Sequence, residues 1–116
     1  DLHKALDFGE FFQYVRKNLD CRIGIPEMAA IMGWSEAHFS RVFHSVFHIT
    51  PKQYLVRELF ARALGLLNDP GKSIKEISAE LGFSSEFNFS RFIKQYSGQA
   101  PNQLRRTASG PLYVRK

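Results

Sequence analysis

Residues 73–93 read "SIKEISAELGFSSEFNFSRFI", and the way this stretch divides decides the fold. Ser73 with Glu76 three residues on is the pattern of a capping box, in which each side chain bonds the other residue's backbone N–H at a helix start. A short helix is expected over 74–81. Gly82 stops it, because a residue of positive φ ends a helix most easily when it has no Cβ to clash. Ser78, four residues before the glycine, is small enough for a second helix to cross closely. After the turn, Phe89, Phe92, Ile93 and Tyr96 recur at i, i+3, i+4 and i+7, the apolar stripe of that second helix. The stretch is a helix, a glycine turn and a helix.

The same segment occurs earlier in the chain. Ile25, Ala30, Gly33, Trp34 and Ser35 match Ile74, Ala79, Gly82, Phe83 and Ser84 forty-nine positions on. Phe39, Ser40, Arg41, Pro51 and Gln53 match Phe89, Ser90, Arg91, Pro101 and Gln103 fifty positions on. The extra residue falls in the turn at Ser84-Ser85-Glu86, where an insertion does least harm. Ala29 holds the small crossing position that Ser78 holds in the second copy. One helix-turn-helix hairpin is a common packing element. Two in a small chain point to a use, and the second helix of such a unit can lie in the major groove of DNA.

Helical spacing dominates elsewhere too, and strand alternation is nearly absent. Phe8, Phe11, Phe12, Val15 and Leu19 lie on one helix stripe, followed by a loop over 19–24 and a short helix over 25–32. Phe39, Val42, Phe43, Val46 and Phe47 form the stripe of the next helix. Thr50 suits a cap, Pro51 the first helical position and Gln53 the return arm of a capping box. They open a long helix to Leu67, apolar on more than one side (Leu55, Val56, Leu59, Phe60, Ala63, Leu66, Leu67) and so expected to be buried between neighbours. "NDPGK" at 68–72 is a turn cluster. After Arg106, "TASGPLYVRK" has no helical period and is expected to be a mobile tail. The expected fold is all-α. It has a first helix-turn-helix unit over 1–49, a central linker helix over 50–67, a second unit over 68–106 and the tail over 107–116.

Composition narrows the function. The chain has 116 residues, 44% hydrophobic and 14% aromatic with eleven Phe, enough for a packed interior and against disorder. No apolar run approaches the roughly 20 residues needed to cross a membrane, and no signal-peptide pattern opens the chain. Asp1 rather than Met at the start suggests a piece of something longer. Cys21 is the lone cysteine, which excludes an internal disulfide and a cysteine-based metal cluster and suits the cytoplasm. Sixteen Lys and Arg against eleven Asp and Glu give a net charge of +5 and a pI near 9.6. A basic balance of this kind is the electrostatic footprint of a nucleic-acid binder, though a merely soluble basic domain shares it.

Angular bookkeeping at about 100° per residue locates the polar faces. Opposite the apolar stripe, the second helix of the first copy carries Ala37, Arg41 and His44. The second copy carries Phe87, Arg91 and Lys94 there. Cations therefore recur at matched positions, Arg41 with Arg91 and His44 with Lys94, and Ser40 with Ser90 lie beside them. An ordinary solvated face accounts for the cations but not for Phe87. An exposed Phe on a basic helix face is suited to apolar contact with a thymine methyl.

On these residues the chain from about Phe8 to Arg106 resembles the DNA-binding domain of the AraC/XylS family of bacterial transcription regulators. The carrying text is "GIPEMAAIMGWSEAHFSRVFHSVFHITPKQYL", "RALGLL" and, above all, "SIKEISAELGFSSEFNFSRFIKQYSGQAPNQLRR". The resemblance implies seven helices, with two helix-turn-helix units on one long helix. It implies double-stranded DNA read in two successive major grooves. The positions matching the family's base-reading residues are Ala37, Ser40 and Arg41 in the first unit, and Glu86, Phe87 and Arg91 in the second. It also implies contact with RNA polymerase and a sensing or dimerising domain outside this chain. Three positions depart from the family pattern. Ala37 is small for a base reader, His48 stands where a Gly is usual (the counterpart of Gly98), and Asn88 stands where Tyr or His is usual. The long helix, about 17 residues and roughly 26 Å, suits reading heads about one DNA turn, or 34 Å, apart.

Two other classes compete. An enzyme or metal site would draw on His44 and His48, four apart as zinc ligands can be. The metalloprotease pattern needs Glu at position 45, which is Ser45, and no third ligand is near. His44 is expected to face phosphate and His48 to end the helix. No Gly-rich phosphate loop or activated nucleophile is present, so no metal, cofactor or catalytic residue is expected. A helical protein-interaction module is the second rival, separated from DNA binding by its insensitivity to salt.

Overall fold

The computed structural model describes residues 8–108, and the expectations for 1–7 and 109–116 fall outside these. Among the described residues the chain forms seven helices and no strand. They are α1 (Gly9–Asn18), α2 (Ile25–Met32), α3 (Glu36–Phe47), α4 (Pro51–Leu67), α5 (Ile74–Glu80), α6 (Glu86–Ser97) and α7 (Pro101–Ala108). The chain divides into two compact units within α4, the first running through Glu58 and the second starting at Leu59.

The first unit is built on aromatic rings. Phe8, Phe11, Phe39 and Phe43 are all at most 1% exposed. The Phe8 ring meets Trp34, Phe43 and Phe47 edge-on, with centroids 5.9, 5.6 and 5.2 Å away. Phe11 packs against Phe39 and Phe43 at 5.6 and 5.7 Å. Tyr54, one turn into α4, closes the cluster 5.7 Å from Phe43. Each buried ring contributes about 1.5–3 kcal/mol of transfer free energy, and offset pairs add about 0.5–1.5 kcal/mol. The expected stripe of α1 holds, although Phe8 and Leu19 flank the helix as its caps and Phe12 is half-buried.

The glycine turn has the expected form. Gly33 has φ 73°. Its N–H donates to the Ala30 carbonyl and the Trp34 N–H to that of Ala29, both at 3.0 Å. These bonds occupy carbonyls that the end of α2 would otherwise leave unpaired. Ala29 is 2% exposed where α2 packs on α3, so the small side chain is needed for the crossing.

The second unit repeats this turn on an aliphatic core. The Ser73 and Glu76 capping box forms, with the Ser73 N–H donating to Glu76 Oε1 at 2.8 Å and the Glu76 N–H to Ser73 Oγ at 3.0 Å. Gly82 has φ 85°, and the Phe83 N–H donates to the Ser78 carbonyl at 2.9 Å. Ser78 is buried, with its hydroxyl donating back to the Ile74 carbonyl at 2.8 Å. Leu59, Ala63 and Leu67 of α4 line one helix stripe and are buried, as are Ile77, Leu81, Phe89, Ile93 and Leu104. The other apolar residues expected to be buried on α4 (Leu55, Val56, Phe60, Leu66) are half-buried. The Thr50 and Gln53 capping box at the start of α4 forms as expected, at 2.8 and 3.1 Å.

Three details differ from expectation. The expected tail began at residue 107, but α7 continues through Thr107 to Ala108; the rest of that tail lies outside the described residues. Tyr96 falls on the apolar stripe by its spacing. It packs its ring 5.2 Å from Phe92 yet is 45% exposed, because it lies in the last turn of α6. The repeat aligned Ser35 with Ser84, but the residue that caps α6 is Ser85. Its Oγ accepts from the Asn88 N–H at 3.1 Å, as Ser35 Oγ does from the His38 N–H. The inserted residue is therefore Ser84, before the cap, and from the cap onward the two copies run fifty positions apart.

Candidate nucleic-acid interface

The second helix of each turn, α3 and α6, has twelve residues and the same construction. A serine cap opens it, a glutamate (Glu36 or Glu86) fills the first turn, and a phenylalanine (Phe39 or Phe89) anchors it in the core. Acid in the first turn suits the positive end of the helix dipole. Each helix ends on a left-handed residue, His48 (φ 65°) or Gly98 (φ 80°), whose N–H donates to the carbonyl of His44 or Lys94 at 2.8 Å. His48 thus ends its helix as expected. It is the one non-glycine residue of positive φ among those described.

The face opposite the core is open in both helices. On α3, Ala37, Arg41 and His44 are exposed and Ser40 is half-buried. On α6, Glu86, Phe87, Arg91 and Lys94 are exposed and Ser90 is half-buried. Among the described residues Arg41, Arg91 and Lys94 form no ion pair, so their charges remain available to an anionic partner. Lys72, by contrast, pairs with Glu80 at 3.0 Å, which raises its pKa. Among the described residues no three His, Cys, Asp or Glu side chains group to hold a metal ion, and no helix is long and apolar enough to cross a membrane.

Two features tie the start of each exposed face to the preceding turn. In the first unit the His38 ring stands edge-on to Trp34 with centroids 4.7 Å apart. In the second, at the matched position, the Asn88 amide donates to Ser84 Oγ at 2.6 Å. The departure from Tyr or His at position 88 therefore exchanges a ring contact for a hydrogen bond.

Phe87 is 68% exposed. The guanidinium of Arg91 lies over its ring, 5.7 Å from the centroid. Helix phase puts both residues on this face in the sequence, but does not by itself join them. Their spacing of one helix turn was the available signal, since side chains four apart are neighbours. A second missed residue is Arg105, whose Nε donates to the Leu67 carbonyl at 3.0 Å and whose guanidinium also donates to that of Lys72 at 2.6 Å. It braces the end of α4 and the following turn, so this cation has a structural task.

Comparison with known proteins agrees with the fold. Residues 28–107 match a family described as a helix-turn-helix domain. The uncharacterized HTH-type transcriptional regulator YidL of Escherichia coli K12 is 35% identical over 87 residues, covering 75% of this chain and 29% of that protein. The C-terminal domain of AraT, a response regulator from Geobacillus stearothermophilus, superposes with a TM-score of 0.77 at 25% identity, covering 87% of this chain and 84% of that one. The DNA-binding domain of AdpA, a global transcriptional factor solved with a target DNA, has the same fold, with a TM-score of 0.75 at 23% identity over 86% of this chain and 90% of that one. The chain spans about a third of the length of the curated relatives it matches. With two glycine turns, two matched exposed helices and this family match, the chain belongs to the AraC/XylS family of helix-turn-helix DNA-binding domains.

Proposed function

We propose that the chain reads double-stranded DNA in a sequence-specific way for a bacterial transcription regulator, with α3 and α6 each entering a major groove. The observation that carries this is the matched pair of exposed faces, Ala37, Ser40, Arg41 and His44 on α3, and Glu86, Phe87, Ser90, Arg91 and Lys94 on α6. Arg41 and Arg91 suit bidentate bonds to guanine O6 and N7, Glu86 suits the amino group of cytosine, and Phe87 suits a thymine methyl. Lys94 and His44, farther along each helix, suit phosphate. Ser40 and Ser90, at the flank, have hydroxyls suited to either base or backbone.

Contact with RNA polymerase, a sensing or dimerising domain outside this chain, and action in the cytoplasm belong to the same proposal. They are supported by the family and by the length of the relatives that this chain leaves unmatched. A salt titration tests the core of the reading. Binding to a duplex should weaken steeply with salt, with a log–log slope of about −0.9 per phosphate neutralised. Lys94→Ala should make that slope shallower by about one. A flat titration would instead favour a helical protein-interaction module.

A further inference from the structure

We infer that Phe87 and Arg91 work as one reading element, in which the aromatic ring positions the guanidinium so that α6 reads a thymine and an adjacent guanine together. This rests on α6 facing the groove and adds to that reading a coupling between two bases. The arginine side chain is long and carries about 2 kcal/mol of rotamer entropy when free. Here it has no carboxylate partner among the described residues to hold it. What holds it is the Phe87 ring, 5.7 Å below its central carbon. In such a contact the cation meets the negative face of the ring. A cation–π contact takes up no hydrogen-bond acceptor, so the N–H fork that matches guanine O6 and N7 stays available. The ring contact and base reading therefore do not compete for the same donors.

The ring is also left with one face and an edge. At 68% exposure it can meet an apolar group from the groove while Arg91 covers its other side. The apolar group a base offers there is the thymine methyl. Because both contacts start from one ring, the two bases they reach must be neighbours. The matched position in α3 has nothing of this kind. Ala37 stands where Phe87 stands, so Arg41 has no ring beneath it at that spacing.

The test uses a duplex recovered by selection from a random pool with this chain, and four variants: Phe87→Leu, Phe87→Tyr, Arg91→Ala and the double Phe87→Leu/Arg91→Ala. Phe87→Leu keeps apolar bulk near the methyl but removes the π face, and Phe87→Tyr keeps the face. Phe87→Leu should weaken binding about two- to fivefold, the size of an exposed cation–π contact. It should also lower the preference for guanine over 7-deazaguanine, which lacks N7, at the position Arg91 reads. The preference for thymine over uracil should survive in Phe87→Leu, and the guanine preference in Phe87→Tyr. In an Arg91→Ala background, Phe87→Leu should cost little further affinity. Thermal melting should be unchanged throughout, since the ring is outside the core. The inference is overturned, with DNA reading intact, if Phe87→Leu leaves the guanine preference as it was. Equal losses from Phe87→Leu in both backgrounds would overturn it too. If selection enriches no sequence at all, the failure lies in the DNA reading itself.

Discussion

The two units fold to the same turn and differ in where they spend their aromatic residues. The first buries them. Phe8, Phe11, Phe39 and Phe43 are sealed in one cluster, and its exposed helix α3 offers Ala37 at the position matched to Phe87. The second packs Leu, Ile and a single fully buried Phe, and places Phe87 in the open beneath Arg91. A repeat constrains the turn, the caps and the core anchor, because those make the fold. It leaves the outer face free to diverge. If α3 and α6 read bases as proposed, the difference divides that reading unequally, with a ring-supported arginine in the second unit and an unsupported one in the first.

The largest expected effect breaks the first unit alone. Phe43→Ala removes a ring that touches Phe8, Phe11 and Tyr54 and should destabilise the fold by about 3–5 kcal/mol. Ile93→Ala, in the aliphatic core of the second unit, should cost about 2–5 kcal/mol. Chemical denaturation measures both. If Phe43→Ala were nearly neutral, the aromatic cluster would not be what holds the first unit.

Next in size is binding. Arg41→Ala and Arg91→Ala should each weaken specific binding by about 1–3 kcal/mol, with little change on random duplex. Fluorescence anisotropy on the two duplexes separates base reading from a phosphate clamp, which would lose equally on both. Arg91→Ala should be the costlier of the pair.

A smaller effect concerns the left-handed caps. A side chain at positive φ costs roughly 1–2 kcal/mol, and His48 occupies such a position where the second unit has Gly98. His48→Gly should stabilise the protein by about 1 kcal/mol. Gly98→Ala should destabilise it by a similar amount, although a Cβ there would meet no atom within 4 Å. The loss is purely conformational, and thermal melting of the two variants should move in opposite directions. The same sign for both would mean that the caps are not equivalent.

The smallest effect is a pH dependence. Hydrogen bonds from Ser73 hold the Glu76 carboxyl below its ordinary pKa of 4.5. Since the folded value is the lower one, the stabilisation is complete above that ordinary value and fades as pH falls through the folded one. The melting temperature of the wild type should therefore drop more than that of Glu76→Gln as pH is lowered from about 6 to 3. Parallel curves would show that the capping box does not depend on the charge.

Much of this was legible before any coordinates. The boundaries of α2 and α4, the capping boxes at Thr50 and Ser73, and the φ of Gly33 and Gly82 all follow from local chemistry acting within a few residues. So does the exposure of Phe87, since helical phase alone places it opposite Phe89 and Ile93. What stayed hidden needed either distance or a choice between equals. Arg105 finds the Leu67 and Lys72 carbonyls more than thirty residues away, which no local pattern announces. Ser84 and Ser85 are the same residue type, and only the bond from the Asn88 N–H picks the cap. Tyr96 satisfies the stripe's spacing, but the stripe outruns the core it packs on.

The most direct test of unequal reading by two matched helices is selection of duplexes from a random pool by the unaltered chain. The expected site has two preferred segments about one helical turn, 10–10.5 base pairs, apart. One segment should be more sharply defined and contain a thymine next to a guanine, and Phe87→Leu should blur that segment while leaving the other unchanged. A single preferred segment, or two that blur together on that substitution, would contradict it.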